Sequence, residues 1–305
     1  MIKVINATKT FDKFTALKDI SCEIPKGCIY GLVGSNGAGK STFIRLMTGV
    51  YKADSGEITI DDVEVYNNPA IKSQFMYVSD ELFFLPGASL KRMADFYNSI
   101  YESFDKEYFE QLVNSFKLKY KVPIRSFSKG MKRQAAIILA LAVKPKYYFF
   151  DETFDGLDPV MRNLVKGLIC EDVMERKATA IITSHSLREL EDVCDQLALL
   201  HEGGIVLQSE VNNLKTSLFK VQIAFNKEYD KEIFTDIDIL NFNKKGSVTN
   251  LILRGDKDEI VGKLNNLSPA LLDILPLTLE EVFTYEMQAL GYNFEKVLEE
   301  IAGEK

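Results

Sequence analysis

The chain has 305 residues, 46% of them hydrophobic and 27% charged, a balance that suits a globular protein and excludes a disordered, collagen-like or membrane-spanning one. Its 37 Lys and Arg stand against 44 Asp and Glu, net −7, a sign that argues against a coat for nucleic acid or anionic lipid. At roughly 150 residues per domain the length predicts two units, one large and one small. Cys22, Cys28, Cys170 and Cys194 form no C-x-x-C pair, so neither zinc nor a disulfide framework is indicated and a reducing cytosol is the simpler setting. The first residues lack the apolar core of a signal peptide. The longest apolar run, residues 135–143, falls far short of the ~20 residues needed to span a bilayer, so a membrane role requires another chain.

In chain order, the apolar run 28–33 ends in a glycine-rich turn and leads into the helix-compatible KSTFIRLMTGV, a strand, loop and helix in succession. Further buried strands are expected at 75–78, 147–150, 178–183 and 196–200, with helices between them, which predicts α/β with a parallel sheet. Residues 89–143 have helical spacing and no good strand, with Met93, Phe96, Tyr97 and Ile100 on one face. They read as a helical insert. The tail predicts strands in FKVQIAF and VTNLILR, a helix in KDEIVGKLNNL, and a last helix from about Thr278. That helix places Leu279, Val282, Phe283, Met287 and Leu290 in one apolar stripe, continued beyond Gly291 by Phe294, Val297, Leu298 and Ile301. The expected division is a large domain over 1–215, its helical subdomain at about 82–143, and a small α+β domain over 216–305. The small domain carries 10 basic and 16 acidic residues.

The strongest chemical signal is GSNGAGKST, which comprises Gly34, Ser35, Asn36, Gly37, Ala38, Gly39, Lys40, Ser41 and Thr42. It matches G-x-x-x-x-G-K-[ST] in the strand-loop-helix setting that this phosphate-binding loop requires. Glycines let backbone N–H groups wrap phosphates, Lys40 reaches the β and γ phosphates, and Ser41 offers Mg²⁺ an oxygen. In YYFFDE, an aromatic strand ends in Asp151, placed to hold Mg²⁺, and Glu152, the natural general base for an attacking water. An acidic pair after a strand is by itself more often a turn or cap.

Between these two motifs lies SFSKGMKRQ, residues 126–134, which resembles the ABC-ATPase signature written LSGGQ; Phe127, Ser128 and Gly130 match it. Lys129 and Met131 depart from it as in a variant common in bacterial exporters whose ATPase is a separate chain. Ser128 is also a helix N-cap on ordinary grounds. The resemblance runs through residues 1 to about 210 and implies a P-loop NTPase fold of the ABC type that takes ATP and Mg²⁺. It assigns Gly156, Leu157 and Asp158 to the D-loop, His185 to the switch histidine near the γ-phosphate, and Ser128, Lys129 and Gly130 to the ATP of a partner cassette. Phe11 becomes the aromatic on which adenine stacks, with Phe14 its rival, and either ring could instead pack in the core. The family's loop glutamine falls at Asp80, a residue able to offer Mg²⁺ an oxygen but unable to donate a hydrogen bond.

The function this implies is an ATP-hydrolysing subunit that pairs with a second ATPase chain, identical or related, around two MgATP. The pair would drive an integral-membrane permease at the cytoplasmic face of the membrane, with no nucleic-acid partner. Leu82, Phe83, Phe84 and Leu85 are candidates for docking the permease or for a buried edge. Export of a drug, antimicrobial peptide or lipid fits the signature variant. The alternatives are a soluble ABC-type ATPase without a permease and a nucleotide-binding regulator.

Overall fold

Strand β3 (Ile29–Val33) is buried at every position and leads straight into the glycine loop, so it sets where the chemistry sits. In the computed structural model, which describes residues 1–289, the chain forms two units, Met1–Gln208 and a second from Ser209 onward. The division falls earlier than the expected break after residue 215. The reason is local: helix α8 (Val211–Ser217) packs against α10 (Leu279–Ala289) and runs directly into β11 (Leu218–Ala224) of the second unit.

In the first unit β3 is flanked in parallel by β8 (Thr179–Ser184) and β9 (Gln196–His201). Beyond β8 follow β7 (Tyr147–Phe150) and β6 (Phe75–Val78), also parallel, and β10 (Gly204–Glu210) lies outside β9. Five of these strands match the expected ones. Such strands, covered on both faces, read as continuous apolar runs, which makes them visible in the sequence. Their register aligns Val33 with Ser184 and Ile182 with Phe150, and Phe150 with Val78, so the C-terminal ends of four adjacent strands finish at one edge. In open α/β sheets this edge is where ligands bind.

A second, antiparallel sheet was not anticipated. It comprises β1 (Ile2–Phe11), β2 (Phe14–Ile24), β4 (Ser55–Ile60) and β5 (Val63–Glu64) in the order β2-β1-β4-β5. β1 and β2 bury mainly one face, and β4 is buried only over residues 58–60. Ile2, Val4, Ala7, Leu17, Ile20 and Ile60 point into the core, while polar neighbours face outward and break up the apolar signal.

The stretch expected to be helical holds α3 (Leu90–Ile100), α4 (Lys106–Ser115) and α5 (Lys129–Val143). Ser89, Asp105 and Ser128 cap them, each side chain accepting a backbone N–H of the first turn. The expected apolar face of α3 needs correction. Its buried residues are Leu90, Met93 and Ala94, whereas Phe96 and Ile100 are exposed and Tyr97 stacks on Tyr101 at 5.9 Å. Both stripes of α3 are apolar, so periodicity could not say which one turns inward.

In the second unit β11, β12 (Asp238–Lys245), β13 (Val248–Arg254) and β14 (Leu271–Leu275) form an antiparallel sheet in the order β12-β13-β11-β14. This is the split β-α-β arrangement with its first helix reduced to a single 3₁₀ turn, Lys231–Ile233; α9 (Lys257–Asn266) supplies the second. Ile260 and Leu264 of α9 bury against Phe219, Val221, Ile223, Leu251 and Leu253. Two of the four strands, β12 and β14, were not expected, being edge strands interrupted by polar residues. Helix α10 starts at a capping box in which Thr278 Oγ1 accepts the Glu281 N–H at 3.2 Å and Glu281 Oε2 accepts the Thr278 N–H at 2.9 Å. Leu279, Val282, Phe283 and Met287 are buried, as the stripe predicts. Leu290, Phe294, Val297, Leu298 and Ile301 lie outside the described residues.

Candidate functional site

The loop of residues 34–39 turns from β3 into α1 (Lys40–Met47). Gly37 and Gly39 have φ of 81° and 109°, where side chains other than glycine are strained. A Cβ on Gly34 would lie 2.4 Å from the Leu200 carbonyl oxygen, so the loop can pass there only as glycine. Gly39 caps α1 with no side-chain hydrogen bond, which leaves the first-turn N–H groups for an anion. Lys40 is buried and its ammonium donates to the carbonyls of Gly34 at 2.7 Å and Ser35 at 3.1 Å.

From the end of β7, Asp151 enters the same cleft. Its Oδ1 accepts from Thr183 at 2.7 Å and from Ser41 at 3.2 Å, and Tyr77 OH lies 3.5 Å from Oδ2. Burial pushes the Asp151 carboxyl above the usual range; the Thr183 and Ser41 hydrogen bonds oppose this, while the Glu152 and Asp80 carboxylates add to it. Glu152 sits in the left-handed region at φ 47°, a strained position for a side chain of this size. Its N–H is held by Thr183 Oγ1 at 3.0 Å, its Oε2 meets His185 Nδ1 at 3.0 Å, and its Oε1 forms an ion pair with Lys40 at 3.1 Å. The sequence-predicted Lys40, Ser41, Asp151, Glu152 and His185 are thus brought together.

A cleft of about 330 Å³ opens over this group, bordered by Asn36, Gly37, Gly39 to Thr42, Asp80 and Glu152, with Phe14 and Ala16 on one wall. Phe11 and Phe14 face each other across the β1–β2 turn. Phe11 rests edge-on against Tyr51 at 5.3 Å, whereas the more exposed Phe14 borders the cleft. Asp80 borders the cleft too, but its Oδ1 accepts from Arg133 Nη2 at 2.7 Å.

The signature residues open α5. Ser128 Oγ accepts the Met131 N–H at 3.2 Å, and Lys129 pairs with Asp155 at 2.7 Å. A Cβ on Gly130 would lie 2.8 Å from the Gly156 carbonyl oxygen, so the first turn of α5 meets the loop after β7 through glycine. Asp158 caps α6 (Pro159–Arg176), accepting the Val160 and Met161 N–H groups at 3.0 Å each. Sequence reasoning missed Thr183, Tyr77 and Arg133. Thr183 had a weak signal, one of three hydroxyls in the run ATAIITS; Arg133 had only its place ahead of the apolar run 135–143.

The family model for the ABC transporter matches residues 17–155. The chain is 32% identical to the ABC transporter ATP-binding protein YtrB of Bacillus subtilis (strain 168), over 93% of this chain and 97% of that one. To the lantibiotic transport ATP-binding protein SrtF of Streptococcus pyogenes it is 31% identical, over 74% and 99%. A methionine import ATP-binding protein of Clostridium tetani is 26% identical over 92% and 94%. Among solved structures, the dimeric post-hydrolysis ATP-binding cassette MJ0796, bound to ADP and Pi, aligns with a TM-score of 0.63 and 20% identity, covering 69% of this chain and 99% of that one. The chain therefore belongs to the ATP-binding proteins of ABC transporters, and it is an ATP-binding ATPase.

Proposed function

We propose that this chain pairs with a second cassette around two MgATP and drives a separate permease that exports a drug, antimicrobial peptide or lipid. The observation that carries the reading is the bonded cluster of Lys40, Ser41, Asp151, Glu152 and His185 at the sheet's C-terminal edge, with Lys40, Ser41 and Glu152 lining the cleft. The backbone N–H groups of residues 34–39 and the start of α1 hold the phosphates, and Lys40 balances their charge. The Ser41 hydroxyl and the Asp151 carboxylate, 3.2 Å apart, are the hard oxygen donors that suit Mg²⁺. When bound, the ion would neutralise charge on the phosphate oxygens.

Glu152 orients the attacking water and takes its proton, and His185, hydrogen-bonded to the same carboxylate, holds it in place. Ser128, Lys129 and Gly130 close over the nucleotide of the partner cassette, and Asp158 shapes the loop between the two. Adenine stacks at the β1–β2 hairpin tip, on Phe11 or its neighbour Phe14. No helix among the described residues is long and apolar enough to cross a membrane. The apolar loop between β6 and α3, where Phe83 is 75% exposed, is the surface offered to the permease at the cytoplasmic face. Residues 1–208 are the ATPase unit, and the acidic second unit is accessory. Export is favoured by the likeness to a lantibiotic transport protein.

The test is co-expression with candidate multi-span permeases from the same genome, followed by membrane fractionation and transport assays in vesicles of known orientation. Membrane recruitment and ATP-dependent extrusion are expected. A chain that stays in the soluble fraction supports the soluble ATPase instead, and uptake reverses the direction.

A further inference from the structure

We propose that Asp80 is a positioning residue that acts through Arg133 to hold the start of α5, rather than a ligand for Mg²⁺. Where the family resemblance expects a glutamine, which both donates and accepts, this chain has an acceptor-only carboxylate. Asp80 Oδ1 takes Arg133 Nη2 at 2.7 Å, while Nη1 of the same guanidinium donates to the Ser79 carbonyl at 3.2 Å. One side chain thus grips two consecutive residues where the chain leaves β6.

Arg133 is 1% exposed and ranks among the largest buried side chains, whereas Asp80 is half-exposed at the border of the cleft. A buried guanidinium must keep a charged acceptor, because leaving it unpaired is far costlier than losing a surface pair. The second strap on α5, Lys129 to Asp155, has an exposed lysine and a partly exposed carboxylate, with neither group buried, and contributes little. The buried pair is therefore the one that fixes the first turns of α5, and with them Ser128 and Gly130, against the loop that borders Lys40 and Ser41. Charge-assisted hydrogen bonds with one buried partner also carry the geometric specificity such a strut needs.

The experiment compares Asp80→Ala, Asp80→Gln, Arg133→Met and the double variant Asp80→Ala/Arg133→Met in the full chain. Amide hydrogen exchange over residues 131–137 is measured without nucleotide, and Mg²⁺ is titrated into nucleotide-binding assays. Exchange in that segment should rise roughly tenfold in Asp80→Ala and in Arg133→Met, and the double variant should add nothing further. Asp80→Gln should fall between Asp80→Ala and the parent, and the Mg²⁺ midpoint should move less than about twofold in every variant. A midpoint shifted about tenfold in Asp80→Ala, with exchange unchanged, would overturn the proposal in favour of a metal ligand. Should Arg133→Met or Asp80→Ala fail to fold, Asp80→Gln decides, since it keeps an acceptor for the buried guanidinium and should still raise exchange above the parent.

ATP-dependent pairing is measured in the Glu152→Gln background, where these substitutions should weaken it about tenfold with ATP affinity unchanged; equal pairing counts against the strut. That arm alone rests on the two-cassette reading. A Glu152→Gln chain that never pairs overturns that reading, and the exchange data still decide the strut.

Discussion

Lys40 Nζ lies 3.1 Å from Glu152 Oε1, so the cation proposed for phosphate and the carboxylate proposed for water are paired with each other. Both side chains are largely buried, and Glu152 Oε2 is committed at the same time to His185 Nδ1 at 3.0 Å. On the proposed roles, phosphate would draw Lys40 away from Glu152 and so release the carboxylate to face the γ-phosphate.

This competition predicts that Glu152→Gln binds a non-hydrolysable ATP analogue more tightly than the parent, by about two- to tenfold, because the neutral amide holds Lys40 less strongly. Calorimetric titration with the analogue measures it. Weaker binding by the variant would mean that Glu152 helps to place Lys40 rather than competing for it.

The hairpin tip separates two aromatic roles. The resemblance points to Phe11 for adenine, and the cleft wall is Phe14. Whichever ring stacks on the base should lose about tenfold in ATP affinity on replacement by Ala, the scale of one aromatic stacking contact, while its neighbour changes little. Competition with triphosphate lacking the base checks the cause, since that ligand should bind both variants as it binds the parent.

Asp61 predicts a stability effect with a definite sign. Burial pushes its carboxyl up, but Lys26, the Met1 amino group and Tyr147 OH, at 2.8, 2.6 and 2.8 Å, hold it well below the ordinary range. A carboxyl depressed on folding adds stability above its unfolded pKa of about 3.9, and that stability fades as the pH falls toward the folded value. Asp61→Asn, tolerated at this φ of 54°, should lower the urea midpoint at pH 7 and converge on the parent as the pH is lowered below 4. A constant gap across that range would assign the effect to shape rather than charge.

The core of the first unit is drawn from residues 2–205, so a chain cut after Gln208 should fold and bind ATP. On the proposed two-cassette reading it should assemble less well with a permease in the absence of nucleotide, because the accessory unit would no longer help to hold two subunits together. Sedimentation of the full and shortened complexes without nucleotide tests this, and equal assembly would leave the second unit as an independent appendage.

Legibility in the sequence follows the range of the contacts. Residues 34–42, 128–130 and 151–152 are contiguous motifs whose chemistry is written locally, and strands buried on both faces announce themselves as apolar runs. The Arg133–Asp80 pair and the Thr183 hydroxyl beneath Asp151 join residues 53 and 32 positions apart, and neither partner is unusual alone. The half-buried β1, β2 and β4 were hidden for a related reason, since their pattern acquires meaning only when the partner strands are known. On α3, two apolar stripes compete, and packing rather than periodicity selects Leu90, Met93 and Ala94.

The most direct test is γ-phosphate release from MgATP by the parent, Lys40→Ala and Glu152→Gln, each paired with a binding measurement on the same sample. Lys40→Ala should lose most of its affinity. Glu152→Gln should retain ATP while hydrolysis falls by roughly 10²-fold or more, the scale of a lost general base. Phosphate release by Glu152→Gln at the parent's rate, with ATP bound normally, would contradict the assignment of the base and require another group to orient the water.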